Sequence, residues 1–213
     1  MSLRPFTSGL DPNNLASIQN GTLRYSYRGI KTAKDPFDFA LYPLLIWSVK
    51  PRTIIEIGSN MGGSAVWLAD TLKTFGIDGH IHSVDIKRVT WIAHPGVTFY
   101  GGDAGNLRET FSHEFMESLP HPLLLIEDSD HQYATCLKVM EFFAPYLRRG
   151  EYMLVEDGIV DALGISAQFD GGPSRAIKEF LEKHAGEYAI DTAFCDFFGP
   201  NFTYNINGYL VKQ

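Results

Sequence analysis

Leu123-Leu124-Leu125-Ile126-Glu127-Asp128-Ser129-Asp130-His131 is an unbroken apolar run that ends in acids and a histidine. About one helix further on, Tyr152-Met153-Leu154-Val155 runs into Glu156-Asp157. Apolar runs without polar alternation read as strands buried on both faces, the pattern of a parallel sheet covered by helices. In such sheets ligands bind in the crevice beyond the carboxyl ends of the strands. The two acid-tipped runs therefore predict one cleft holding several carboxylates. Carboxylates that close repel one another unless a cation or a positively charged ligand sits among them.

The same alternation continues on either side. Upstream, residues 53–57 read as a strand, 62–75 as a helix, 80–85 and 97–100 as strands and 107–118 as a helix. Downstream come a helix over 133–147, a strand over 151–155, an aperiodic loop over 158–172 and a helix over 174–184. Strands over 189–193 and 204–212 close the chain. Strict strand–helix alternation predicts an α/β fold: a Rossmann-like, doubly wound sheet of seven strands with helices on both faces. No helix separates the last two strands, so the final one is expected to run antiparallel. Before the sheet, Asp35-Pro36 gives a helix start with Asp as cap and Pro in the first turn. Residues 1–34 read as an irregular arm. The expected organisation is a single domain over 1–213, with 1–50 as arm and first helix and 51–213 as the Rossmann-like core.

The first strand–helix turn is Ile54-Ile55-Glu56-Ile57-Gly58-Ser59-Asn60-Met61-Gly62-Gly63-Ser64. Glycines here permit a sharp turn and close approach of a ligand. The spacing matches neither the dinucleotide fingerprint G-x-G-x-x-G nor a P-loop, and Glu56 would repel a pyrophosphate. An amine-bearing or cationic ligand suits it better. Asp85 ends the second strand about 20 residues past the turn, where an acid can accept from both ribose hydroxyls. Asp103, after the third strand, is placed to meet an adenine amino group. These features make Glu56, Gly58, Ser59, Asn60, Gly63, Ser64, Asp85, Asp103 and Asp128 the candidate cofactor-binding residues.

The chain resembles the class I S-adenosylmethionine-dependent methyltransferases, and more closely the family known as cephalosporin hydroxylases, whose members have that fold. The resemblance rests on Gly29-Ile-Lys-Thr-Ala-Lys34-Asp-Pro36-Phe-Asp38, Ile55-Glu-Ile-Gly-Ser-Asn-Met-Gly-Gly-Ser64, Ser83-Val-Asp-Ile86 and Glu127-Asp-Ser-Asp-His131. It continues through Ala144-Pro145, Leu154-Val-Glu-Asp157, Gly171-Gly-Pro173 and Asn207-Gly-Tyr-Leu210. It implies S-adenosylmethionine as cofactor and Mg²⁺ or another divalent cation. By likeness to related macrolide-sugar O-methyltransferases, it implies that Asp128, Glu156 and Asp157 hold the metal. Oxygen-only donors suit Mg²⁺, which keeps waters and leaves positions for substrate oxygens. The same likeness makes His131 the candidate base, with Asp128 beside it at the catalytic centre; a histidine near pKa ~6.5 suits proton transfer at neutral pH. Asp130 is expected to cap the following helix.

The implied reaction is O-methylation of a small molecule whose neighbouring oxygens can chelate the metal, such as a vicinal diol, catechol or sugar-like natural product. Loop 158–172, with Phe169 and Asp170, is expected to shape the acceptor pocket, and Tyr25, Tyr27 and Arg28 to fold over the cofactor. Two rival readings are a non-catalytic cofactor-binding homologue and an iron-dependent hydroxylase. The latter needs two histidines and a carboxylate, and only His131 falls near the predicted cleft.

The net charge of −7 disfavours nucleic acid and acidic membrane surfaces as partners. No apolar stretch approaches the ~20 residues that span a bilayer, and Met1-Ser2-Leu3-Arg4-Pro5-Phe6 lacks the apolar core of a signal peptide. With Cys136 and Cys195 far apart, a reduced cytoplasmic protein is expected. The aromatic-rich chain and its arm suggest a homo-oligomer.

Overall fold

The computed structural model describes residues 4–213, so the first three residues of that N-terminal stretch lie outside the described residues. The chain begins with helix α1 (Pro12–Thr22), then a two-residue hairpin of β1 (Ser26–Tyr27) and β2 (Ile30–Lys31). This corrects the expectation of an irregular arm. Asp11 caps α1 by accepting from the Asn13 N–H, and Pro12 occupies its first turn, the arrangement that Asp35 and Pro36 give to helix α2 (Pro36–Val49). Only Leu15 and Thr22 of α1 are buried, so the helix has no apolar stripe to announce it.

The strands and helices then follow as β3 (Thr53–Ile57), α3 (Gly63–Thr74), β4 (His80–Asp85), β5 (Val97–Gly101), α4 (His113–Ser118) and β6 (Leu123–Glu127). After these come α5 (Tyr133–Phe143), β7 (Tyr152–Val155), α6 (Gly172–Lys183), β8 (Tyr188–Ile190), α7 (Thr192–Cys195) and β9 (Tyr209–Lys212). The helix expected over 107–118 is broken: a 3-10 turn over Ala104–Glu109 precedes the short α4, and Ser112 caps α4 by accepting from the Phe115 N–H. Part of the strand expected over 189–193 is instead α7, capped by Asp191.

The seven-stranded sheet has the order β5-β4-β3-β6-β7-β9-β8. Strands β3 to β7 are mutually parallel, and β9 runs antiparallel to both β7 and β8, as expected for the last strand. The chain moves from β3 outward through β4 and β5, then returns to the other side of β3 for β6 and β7. The gap between β3 and β6 is therefore the topological switch point, where such sheets bind ligands. Every residue of β3 and β6 is buried. Ile55, Ile57, Leu123 and Leu125 pack with α5 and α6 on one face; Ile54, Leu124 and Ile126 pack with α2 and α3 on the other. A two-residue period that is apolar on both faces is why these strands read as continuous runs.

Candidate active site

The site is assembled where consecutive strands end level with one another. Ile57 pairs with Glu127, and Glu127 with Val155. Beyond them the Asp128 N–H donates to the Ile57 carbonyl at 2.8 Å and the Glu156 N–H to the Glu127 carbonyl at 2.9 Å. Gly58 sits at the crossing with φ +107°, and a Cβ there would lie 1.8 Å from the Asp128 carbonyl oxygen. Only glycine lets the two turns pass this closely. A cavity of about 800 Å³ opens above, lined on one side by Gly58, Ser59, Asn60, Ser64, Asp85 and Asp103 and on the other by Asp128, His131 and Asp157.

On the first side, Asp85 accepts from the Asn60 N–H at 2.8 Å and the Lys87 N–H at 3.1 Å, tying the β3 and β4 turns together. Asp103 accepts from the Gly105 N–H at 2.7 Å. Two residues expected at this wall stand behind it. Glu56 is fully buried and accepts from the hydroxyls of Ser64 and Ser83, so its carboxylate orders the turn from beneath. Burial pushes its pKa up, against the pull of Lys34. A Cβ on Gly63 would lie 2.4 Å from the Lys31 carbonyl, so this glycine admits the β2 segment rather than facing the cavity. The rim carries Met61, Ile86 and Trp91, all exposed, with the Trp91 indole donating to the Met61 carbonyl at 3.3 Å.

On the second side, Asp128, His131 and Asp157 each offer an atom to one small space, these atoms all lying within 4.8 Å of one another. His131 Nε2 is 3.3 Å from Asp157 Oδ2. Both residues hold left-handed backbone, φ +59° and +57°, a conformation costing about 1–3 kcal/mol that persists only when the surroundings enforce it. Burial lowers the His131 pKa, but Asp157 and Asp128 outweigh it and the net direction is up. Phe169 packs edge-on against the imidazole with ring centres 5.7 Å apart. Asp130 accepts from the Gln132 N–H and the Thr135 hydroxyl at the start of α5.

Glu156, expected beside Asp157, is drawn inward. It accepts from the Tyr42 hydroxyl and the Lys34 ammonium and does not reach the cavity wall. Lys34 also donates to Asp128 at 2.6 Å, and its side chain is only 3% exposed. Burial raises Asp128 to about 6 and Glu156 to about 7. For Lys34, burial acts downward, but Asp128, Glu156 and Glu56 hold its pKa well above the ordinary lysine range. Lys34 and Tyr42 were missed as site residues by sequence reasoning.

The arm meets the site through different residues from those expected. Tyr27 and Arg28 both donate to Asp70 on α3, at 3.0 and 2.8 Å, and Tyr25 packs on Phe39. Gln19, Thr22, Leu23, Lys31, Thr32 and Ala33 are the arm residues that line the cavity, together with Tyr204, which packs against the arm.

A profile of the family described as Rhamnosyl O-methyltransferase/CmcI matches residues 20–213. The chain belongs to this family. It is 29% identical over 193 residues to a rhamnosyl O-methyltransferase of Mycobacterium leprae, covering 88% of this chain and 83% of that one. It is 26% identical over 194 residues to the Mycobacterium tuberculosis protein of the same name, covering 88% and 78%. Among solved structures, CmcI with Mg and S-adenosylmethionine superposes with a TM-score of 0.71 at 27% identity, covering 90% of this chain and 77% of that one. MycE of the mycinamycin pathway, in complex with Mg and S-adenosylhomocysteine, shares the fold at a TM-score of 0.54 and 18% identity, covering 70% and 44%. The fold is thus one that this chain has in common with its family.

Proposed function

We propose that this chain transfers a methyl group from S-adenosylmethionine to a hydroxyl of a sugar-like or other vicinal-diol acceptor, assisted by a divalent metal ion. The observation that carries the reading is the meeting of Asp128, His131 and Asp157 in one small space, beside the Gly58 turn at the sheet's switch point. The relatives named as rhamnosyl O-methyltransferases, and CmcI solved with Mg and S-adenosylmethionine, support it.

The residues present fit both groups. Gly58, Ser59, Asn60, Ser64, Asp85 and Asp103 would hold the cofactor, with Glu56 and Gly63 shaping the turn behind them. Asp128 and Asp157, with Glu156 behind, would hold the ion; carboxylates suit a hard divalent cation. When bound, the cofactor supplies an electrophilic methyl group, and the ion orients the acceptor and lowers its hydroxyl pKa. His131 Nε2, beside Asp157 in the space the acceptor would enter, is the atom that would take the acceptor proton, since Nδ1 is buried. The arm residues that line the cavity would help to align the reactants, a substantial part of catalysis in a direct transfer. In this reading the whole of 1–213 acts as one methyltransferase domain.

Calorimetric titration with S-adenosylmethionine tests the first part, and turnover of methyl α-L-rhamnopyranoside and catechol with Mg²⁺ or a chelator tests the rest. Binding of cofactor with metal-dependent turnover is expected. Absence of cofactor binding refutes the methyltransferase reading; equal turnover in chelator refutes the metal's part.

A further inference from the structure

The acids at the end of β6 and β7 already have a cation among them, and it is covalently part of the chain. The Lys34 ammonium lies between Asp128, at 2.6 Å, and Glu156, and is sealed from solvent. The same Glu156 takes the Tyr42 hydroxyl on its other oxygen. Asp128 differs from Glu156 in being partly open, its side chain 22% exposed on the cavity side where Asp157 and His131 converge. One carboxylate therefore faces two ways, inward to the lysine and outward to the space fit for an ion.

We propose that Lys34 is an internal competitor for the metal position. Its ammonium neutralises Asp128 and Glu156, and a divalent ion that takes Asp128 as ligand competes with it for this carboxylate. This rests on the metal-assisted reading above and adds a residue that sets metal affinity. Two positive centres sharing one carboxylate repel each other strongly at the effective dielectric of a buried site. Lys34 is carried on the segment between β2 and α2, and β2 packs against the start of α3 at Gly63. Metal occupancy is thereby linked, through the ammonium, to how this segment seats over the cavity. The apparent affinity of a site that must first be cleared is reduced by the fraction of time it is clear. If the lysine holds Asp128 nine-tenths of the time, removing it tightens binding about tenfold.

The test is titration of the full-length protein with Mn²⁺ alone, by calorimetry and electron paramagnetic resonance, with thermal melts in chelator and in saturating Mn²⁺. Wild type is compared with Lys34→Met and Lys34→Arg. Lys34→Met is expected to bind Mn²⁺ about tenfold or more tightly than wild type, to melt lower in chelator because two buried acids lose their counter-charge, and to recover in saturating Mn²⁺. Lys34→Arg keeps the charge and is expected to bind no more tightly than wild type; if Lys34→Met does not fold in chelator, folding in Mn²⁺ but not in chelator is the supporting result. Equal or weaker Mn²⁺ binding by Lys34→Met overturns the proposal while leaving the metal site standing. Failure of wild type and variant alike to bind Mn²⁺ overturns the metal-assisted reading together with it.

Discussion

His131 and Asp128 stand next to the same space but are asked to do different things, and single substitutions separate the two roles. Asp128→Asn removes a charged donor from a crowd of acids while Lys34 keeps Glu156 as partner. Activity is expected to fall at least about a hundredfold, with Mn²⁺ binding lost and the melting temperature held or raised. His131→Gln is expected to lower kcat by about 10²–10⁴, the usual worth of a positioned base, with Mn²⁺ binding retained. The close approach of His131 to the carboxylate atoms makes this contrast informative: a variant that loses Mn²⁺ as completely as Asp128→Asn would make His131 a ligand rather than a base. Calorimetry and steady-state kinetics on the two purified variants supply both readouts. The site's acids were legible as residues because they end apolar runs. Lys34 was not, because its partners Asp128 and Glu156 lie far away in sequence and only the parallel order of β6 and β7 brings them to it.

At the scale of elements, the β3–α3 turn decides whether the site exists. Gly58 combines a left-handed φ with a Cβ position occupied by the Asp128 carbonyl, whereas Gly76, φ +67°, has open space around it. Gly76→Ala is therefore expected to cost only the backbone term of about 1–2 kcal/mol. Gly58→Ala adds a steric clash worth about 1–3 kcal/mol more and pushes Asp128 out of line. Denaturant melts measure the two losses. Equal losses would mean that the turns are free to separate and that the close approach at Gly58 is not required. The central strands were readable because burial on both faces makes β3 and β6 mostly apolar, with Thr53, Glu56 and Glu127 as their only polar residues. α1 and α4 were harder for opposite reasons. α1 carries the same Asp-Pro start as α2, but it is too polar to show a helical period. The segment containing α4 shows a period across Leu107, Phe111 and Phe115, but a non-helical Asn106 and the Ser112 cap divide it into two short turns. Local signals fix where a helix can start; only packing fixes whether it continues.

For the whole molecule, the number of carboxyls taken inside makes stability depend on pH in an unusual direction. Asp38 is fully buried and accepts from the Thr203 and Tyr209 hydroxyls at 2.7 and 2.9 Å. Burial and the neighbouring Asp35 hold its pKa well above the ordinary carboxylate range. Burial likewise raises Asp35 and Glu127. A carboxyl with a raised folded pKa binds more protons in the native than in the unfolded state, so its contribution is fully present below the unfolded value of about 3.9. It is lost progressively as pH rises toward the folded pKa. His82 acts the other way: burial lowers it to about 4, so it weakens the fold as pH falls through the range from about 6.5 to 4. The exposed ion pairs are screened and add little slope. Asp38→Asn isolates the first effect, because an amide mimics the protonated acid: its oxygen still accepts from Thr203 and Tyr209, and its N–H₂ can donate toward Asp35. The difference in unfolding free energy between this variant and wild type cancels His82 and every other shared group. That difference is expected to be near zero or unfavourable to the variant at pH 4 and to move steadily in its favour as pH rises. Urea melts from pH 4 to 8 give it directly, and a difference constant across the range would show that Asp38 is ionised in the folded protein.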